Sequence, residues 1–512
     1  MTNADTGAAT VLADFIAAGD LAGRSSGWPR VAVSEERWNE AIGRLATGQW
    51  NMLGLWAETG CVHLAVLEEP QAQLAILSLD CPEGHYPSVS LHHAPAFRLE
   101  RAVKDLFGLE ASNAPDSRPW LDHGHWGISC PMGAAAERRT DPAAYEFLPG
   151  EGPGLHQIAV GPVHAGVIEP GHFRFTVAGE TIVRLEERFG YAHKGIEALM
   201  AGAPLAKAAK LAARVSGDST VAYAIAFARA VESALGVQPP PRSIWLRALM
   251  AEVERIANHL GDIGAICNDA AFALMHAHCG VLREQVLRAS ATAFGHRLMR
   301  DLTIPGGVTL DLGGDGELAL RQVLDRIRRR FPKLVGLYDE TASLQDRTVG
   351  AGRLTPALAR QFAAGGYVGR ASGRAFDARR LPGYPPYDRL HFDVPILEEG
   401  DVNARIWIRI REVEQSLHIV EQILSQLPTG PIAAPLASPG TASEGLALVE
   451  GFRGDILAWV RLDADRRLLR CHLRDPSWFQ WPLLEAAIGG NIVADFPLCN
   501  KSFNCSYSGH DL

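Results

Sequence analysis

The sequence holds 8 cysteines in 512 residues and not one Cys-x-x-Cys pair. Cys61, Cys81, Cys130, Cys267, Cys279 and Cys471 are scattered, and the nearest two, Cys499 and Cys505, have five residues between them. Zinc and iron–sulfur sites draw on closely spaced thiolates, so the chain alone shows neither. No stretch of about 18 uncharged apolar residues is present, which excludes an ordinary membrane-spanning helix. Met1 to Leu21 carries Asp5, Asp14 and Asp20 and lacks a basic start, so a secretory signal is not expected. A cytosolic chain follows, one that could ride on a membrane complex through other subunits. In that compartment disulfides are not expected, and the cysteines read as small buried hydrophobes. No Gly-x-Gly-x-x-Gly follows a strand, so nicotinamide chemistry would need other subunits. A net charge of -9 argues against a nucleic-acid partner. No fixed-period repeat is visible.

What the sequence does have is an ordinary globular balance, 47% apolar and 21% charged, over a length that suits about two to four domains. From Trp28 to about Trp126 the periods are mixed. Trp38, Ile42 and Leu45 share one helical face within Glu36 to Leu45, and Phe97 to Leu109 reads as a second helix. Cys61 to Leu67 and Gln73 to Leu79 read as strands with a turn at Glu68-Glu69-Pro70 between them. Residues 130 to 153, with Pro131, Pro142, Pro149, Pro153 and several glycines, read as a linker. Beyond Leu155, Phe173 to Val177 and Glu180 to Val183 flank Ala178-Gly179 as a hairpin. Helical patterns then cover Leu205 to Leu235, Ser243 to Ala271, Val281 to Leu302, Gly316 to Asp346 and Asn403 to Leu427, and Leu446 to Leu512 returns to short strands and turns. The expected fold class is α+β: a small N-terminal α+β domain and a larger, mainly helical one with small peripheral β elements.

One helix carries a charged stripe. Glu252, Arg255, His259, Asp262, Ile266 and Asp269 are spaced by 3, 4, 3, 4 and 3 residues and so share a face. Their neighbours Ile256, Ala257, Leu260, Ile263 and Cys267 are apolar, which points to burial over much of the helix. The stripe is either a solvated face with internal salt bridges or a proton-handling, ligand-facing surface, because buried charge needs a partner or a function.

Several ordered blocks carry a family resemblance. Gly161-Pro-Val-His-Ala-Gly-Val-Ile-Glu-Pro-Gly-His-Phe-Arg-Phe resembles the opening of group 4 nickel–iron hydrogenase large subunits and of the related 49 kDa subunit of respiratory complex I. Phe189-Gly-Tyr-Ala-His-Lys-Gly-Ile-Glu, Glu254-Arg-Ile-Ala-Asn-His, Ile304-Pro-Gly-Gly-Val, Asp401-Val-Asn-Ala-Arg and Leu427-Pro-Thr-Gly-Pro extend the likeness over nearly all of residues 155 to 512. Tyr86-Pro-Ser-Val-Ser, Leu99-Glu-Arg-Ala-Val-Lys-Asp-Leu-Phe-Gly-Leu and Pro115-Asp-Ser-Arg-Pro resemble the 30 kDa subunit of complex I. The resemblance implies a 30 kDa-like domain over 1–129, a linker over 130–153 and a 49 kDa-like domain over 154–512, a fusion known in formate-hydrogenlyase-type subunits.

The departures from that family matter equally. A nickel–iron site takes four thiolates from two Cys-x-x-Cys pairs. The first would stand in Arg-Val-Ser-Gly-Asp-Ser, where Ser216 and Ser219 replace both sulfurs. A serine hydroxyl is a hard ligand that stays protonated near neutral pH, unlike a thiolate. The second pair would fall after Asp495, near Pro497 and Asn500, with Cys499 close but off register. No metal ligand is therefore assigned and nickel is not expected. By resemblance to complex I, His172 would face a quinone head group with Asp269 as its partner, and His259 and Asp262 share the stripe as further candidate catalytic residues. The family tyrosine that touches quinone would fall at Gly217, which has no hydroxyl.

The expectation is a peripheral-arm subunit, on the cytoplasmic side of the membrane, of a complex I-like or hydrogenase-related oxidoreductase. It would sit against a small iron–sulfur subunit bearing a [4Fe-4S] cluster, above antiporter-like and quinone-module-like membrane subunits. Electron transfer to a quinone-like acceptor would be coupled to ion movement, with NAD involved at the level of the family. The alternatives are a non-catalytic scaffold in the same complex, or an active nickel–iron hydrogenase, against which the missing thiolates count.

Overall fold

The computed structural model describes residues 12–21, 28–134, 137–138, 145–436 and 440–512. In the N-terminal part, β1 (Arg30–Ala32) leads into α1 (Glu35–Ala46) and an antiparallel run of β2 (Asn51–Glu58), β3 (Cys61–Glu68) and β4 (Gln73–Asp80). Ser34 caps α1 by accepting from the Arg37 N–H, and Glu35 and Glu36 complement the positive end of the helix. β1 pairs parallel to β4, giving the order β1-β4-β3-β2, with a two-residue strand, Asp20–Leu21, on the outer edge of β1. Side chains alternate along β3: Val62, Leu64 and Val66 enter the main core, while Ala65 and Leu67 face the other way into a second apolar cluster. Both faces of this sheet are therefore buried, which is why its strands read as unbroken apolar runs. α2 (Phe97–Phe107) packs on β2 and ends at Gly108 in the left-handed region, φ 74°.

The second cluster has a specific partner. The C-terminal sheet, β8 (Ser443–Glu450), β9 (Asp455–Leu462) and β10 (Leu468–Arg474), supplies Leu446, Leu448, Leu457 and Trp459 to it. Trp56 of β2 stacks on His472 of β10 at 4.9 Å and lies 5.6 Å from Trp459. The two ends of the chain thus close on each other across an aromatic seam.

Between them run β5 (Leu155–Val160), β6 (His172–Ala178) and β7 (Thr181–Arg188), an antiparallel sheet, followed by the helices. These are α3 (Leu205–Ala212), α4 (Thr220–Leu235), α5 (Pro241–Asp269), α6 (Ala273–Phe294), α7 (Gly314–Glu340) and α8 (Val402–Gln426). α5 starts with Pro241, whose missing N–H is harmless in a first turn, and packs along α6 and α8. Among the described residues, no helix is long and apolar enough to cross a membrane.

Several expectations change. Leu205 to Leu235 is two helices, because Arg214 to Ser219 forms a turn between α3 and α4 in which Asp218 and the serines bond elsewhere. The helix expected over Val281 to Leu302 begins at Ala273 and stops before Gly295, whose φ of 72° ends it. Gly316 to Asp346 is two helices, α7 and a short one, Ala342–Thr348. The C-terminal stretch is not mainly strands and turns after Arg474: α9 (Ser477–Ala487), α10 (Phe496–Phe503) and α11 (Tyr507–Asp511) follow, largely buried. Residues 145–149 of the expected linker pack onto β7, with the Leu148 N–H donating to Glu186, the Pro149 carbonyl accepting from Arg184 and Tyr145 under the Arg188 guanidinium. The linker segments 135–136 and 139–144 lie outside the described residues.

Candidate functional site

The turn between α3 and α4 meets the turn between α10 and α11. The Ser216 hydroxyl donates to Asp218 Oδ1 at 2.7 Å and lies 3.0 Å from the Ser506 hydroxyl. Asp218 is paired with Arg453, whose Nη1 donates to Oδ1 at 2.8 Å and also reaches the Ser219 hydroxyl at 3.2 Å. Burial works against the Asp218 carboxylate, but Arg453 and the hydrogen bonds hold it below the usual carboxylate range. α10 ends at Asn504, which takes the left-handed conformation (φ 44°) and turns the chain back on itself. Its side chain donates to Asp262 at 2.9 Å, and its carbonyl accepts from Arg453 Nε at 2.5 Å. Glu169, from the loop before β6, accepts the Ser508 N–H at 2.9 Å. Together these segments enclose a cavity of about 330 Å³, lined by Ser216, Gly217, Arg453, Lys501, Cys505 and Tyr507.

One flank of this pocket gathers titratable groups. The Tyr507 hydroxyl lies 3.1 Å from His164 Nε2 and accepts from Asn500 at 3.5 Å. Burial and the neighbouring Lys501 ammonium both depress the His164 imidazole, while burial pushes the Tyr507 phenol well up. Lys501 also faces Asp269 at the end of α5. Burial raises the Asp269 carboxyl, and Lys501, Asn268 and His276 partly oppose the rise.

Of the four candidate residues, His259, Asp262 and Asp269 lie along α5, whereas His172 stands apart on β6. His172 opens β6 with its ring 4.7 Å from Phe147, depressed by burial and by Arg174, and its buried Nε2 has no partner among the described residues. The groups facing His172 (Arg174, Glu186 and the Gly161 backbone) differ from those facing Asp269, so the expected His172–Asp269 pairing does not form among the described residues. His259 lies fully buried, with Nε2 2.7 Å from Glu412, and burial holds it below its ordinary value. Asp262 accepts from Arg409 at 3.1 Å and so links the stripe to Asn504 at the pocket. The stripe is a buried chain of ion pairs: Glu252 with Arg379, Arg255 with Glu412, and Glu412 with Arg370.

The segment facing Ser216 is Cys505 to Ser508 rather than Pro497 to Asn500. Cys499 points instead at Gly352 and Arg405, its thiol pushed up to about 12 by burial. Cys505 is the sulfur that lines the pocket; it contacts Gln480 at 3.9 Å, and burial raises its thiol well above the ordinary value. One thiol among serines and an arginine-paired aspartate does not fit a four-thiolate nickel–iron centre. Among the described residues no group of three or more His, Cys, Asp or Glu side chains could hold a metal ion. Sequence reasoning misses Tyr507, Lys501 and Arg453, which carry no local signal. His164 lies within the Gly161 block, but the resemblance points past it to His172.

Comparison with known proteins agrees with this architecture. The family model described as "Respiratory-chain NADH dehydrogenase, 49 Kd subunit" matches residues 269–440. Formate hydrogenlyase subunit 5 of Escherichia coli (strain K12) is 32% identical over 445 residues, covering 85% of this chain and 78% of that protein. A subunit of the NADH-quinone oxidoreductase of Roseiflexus sp. (strain RS-1) is 33% identical over 352 residues, 66% of this chain and 94% of that one. Among solved structures, a chain of the membrane-bound sulfane sulfur reductase, an archaeal respiratory membrane complex, superposes with a TM-score of 0.66 at 26% identity, covering 70% of this chain and 99% of that one. The chain belongs to the family of the complex I 49 kDa subunit, related to the large subunits of group 4 hydrogenases.

Proposed function

We propose that this chain forms the acceptor site of a membrane-bound, complex I-like respiratory complex, and that the pocket between Ser216 and Tyr507 takes a quinone head group in place of a nickel–iron centre. The observation that carries the reading is the His164–Tyr507 contact at 3.1 Å on the rim of a pocket bounded by Ser216 and Ser506, with Ser216 at a position the resemblance assigns to a thiolate. Gly217 lacks the family hydroxyl, and Tyr507 supplies one from the C-terminal segment to the same pocket.

Reduction of a quinone takes up two electrons and two protons. The electrons would come from a [4Fe-4S] cluster on a small partner subunit on the cytoplasmic side. Tyr507 donates to one carbonyl oxygen as charge develops there and is reprotonated through His164. Lys501 stabilises the developing negative charge, and Asp269, whose hold on a proton is strengthened by burial, supports the second transfer. The stripe from Asp262 to Glu252 then feels the change in charge through Asn504 and Arg409. Antiporter-like and quinone-module-like membrane subunits would convert it to ion movement. A second reading, in which the acceptor is a sulfane sulfur compound, draws on the sulfane sulfur reductase among the solved relatives and on Cys505 in the pocket wall.

The test is turnover by the purified intact complex with a short-chain quinone, and separately with dimethyl trisulfide. Tyr507→Phe is expected to lower quinone turnover by about tenfold or more. Unchanged turnover in Tyr507→Phe and Lys501→Ala would instead support a scaffold role, and stoichiometric nickel in the complex would overturn the reading.

A further inference from the structure

A separate cavity of about 250 Å³ lies between the C-terminal end of α4, the first half of α5 and the Tyr384–Tyr387 turn. It shares no lining residue with the pocket at Ser216. Arg229 of α4 lines it, and among the described residues that guanidinium has no hydrogen-bond or ion-pair partner; its Nε is fully enclosed. The guanidinium lies over the Tyr384 ring, 4.6 Å from the centroid.

The carboxylates that could neutralise Arg229 are engaged elsewhere. Glu232, one turn along α4, accepts from Arg247 at 2.6 and 3.0 Å and from the Gly306 N–H at 2.7 Å. Glu252 accepts from Arg379 at 2.9 Å, Tyr387 at 2.8 Å and Ser416 at 2.6 Å. Arg247, Arg255, Arg370 and Arg379, buried guanidiniums of the same region, each meet a carboxylate. Arg229 leaves the cavity with one positive charge in excess, and burial pulls that guanidinium below its ordinary value. Arg229 is half-buried with its Nε enclosed, and a partly desolvated charge without a carboxylate partner makes the adjoining cavity a place where a counter-charge fits.

We propose that this cavity is a binding site for a small organic carboxylate, held by Arg229 and packed against Tyr384. A guanidinium fork matches a carboxylate in two parallel hydrogen bonds. A monoanion balances the single charge, whereas phosphate would bring excess negative charge. Ile225, Ile244, Pro239 and Pro385 form an apolar wall for the rest of the molecule. The bound carboxylate lies beside Tyr387, and through its hydrogen bond to Glu252 beside the first residue of the buried stripe.

Benzoate is a suitable probe, titrated into the full chain by calorimetry at fixed ionic strength. The native chain should bind it, with inorganic phosphate at least tenfold weaker. Arg229→Met should lose benzoate binding while melting no lower than the native chain, since it removes an uncompensated charge. Gln238→Trp, at an exposed position on the cavity mouth, should block binding without touching the core. No binding by the native chain, or equal binding by Gln238→Trp, would overturn the proposal. The same titration on the intact complex separates the two sources of a carboxylate: retained binding supports a free ligand, and lost binding would assign the site to a partner subunit's side chain and overturn the free-ligand claim.

Discussion

Ser216, at a position the resemblance assigns to a nickel-site cysteine, touches Ser506 at 3.0 Å. Hydroxyls can share a proton at that distance, whereas a thiolate pair without a metal would repel. The positions that the resemblance assigns to the first thiolate pair can be read from the sequence, at Ser216 and Ser219. The opposing residues are not, since Cys505–Ser508 reaches the pocket through a left-handed turn at Asn504 that no sequence period announces. The histidine is hidden for the same reason: His164 and His172 share one loop-and-strand block, and only coordinates show which of them faces Tyr507. His172→Phe should therefore leave quinone turnover within about twofold while changing stability by about 1 kcal/mol, read by turnover and denaturant unfolding of the same sample. Glu254 gives a pH test. Burial, against the N–H groups of Val221 and Ala222, raises its carboxyl to about 8. The native state then holds a proton that the unfolded state has released, so stability falls as pH rises from the ordinary carboxylate range towards 8. The slope should approach about 1.4 kcal/mol per pH unit. Glu254→Gln should flatten it, and an unchanged slope in a urea series from pH 6 to 8 would contradict the assignment.

At the scale of elements, α5 is the most legible part of the sequence. Its 3-4 spacing places Glu252, Arg255, His259 and Asp262 on one face, and its apolar neighbours predict burial. The spacing cannot say what the stripe meets, because its partners Arg379, Arg409 and Glu412 lie more than a hundred residues away. The expected salt bridges form but the expected solvated face does not, since Glu252 pairs with Arg379 and has lost all contact with solvent. Glu252→Ala should leave Arg379 and Tyr387 short of a partner and destabilise the protein by about 3–5 kcal/mol, measured by chemical denaturation. The break between α3 and α4 escapes the helical pattern because Ala212, Ala213 and Val215 continue it through a turn held by tertiary hydrogen bonds.

At the scale of the molecule, the fold class follows from composition and period, but the contact between the two ends does not. β2 and β10 lie near opposite ends of the chain, and their meeting through Trp56 and His472 depends on two sheets each buried on both faces. Trp56→Ala opens that seam and should cost about 3–5 kcal/mol. A calorimetric scan should then show the native chain melting in one transition, since a continuous apolar core runs from Leu12 to Leu512. Two well-separated transitions would mean that the ends fold apart.

The account rests on the pocket between Ser216 and Tyr507 being the acceptor site, and photo-crosslinking addresses it most directly. An azido-quinone is irradiated on the intact complex and the modified peptides are identified by mass spectrometry. Labels on Gly217, Lys501 or Tyr507, competed away by unlabelled quinone, are the expected result. Labels confined to the surroundings of His172 and Phe147, or none on this chain, would contradict it.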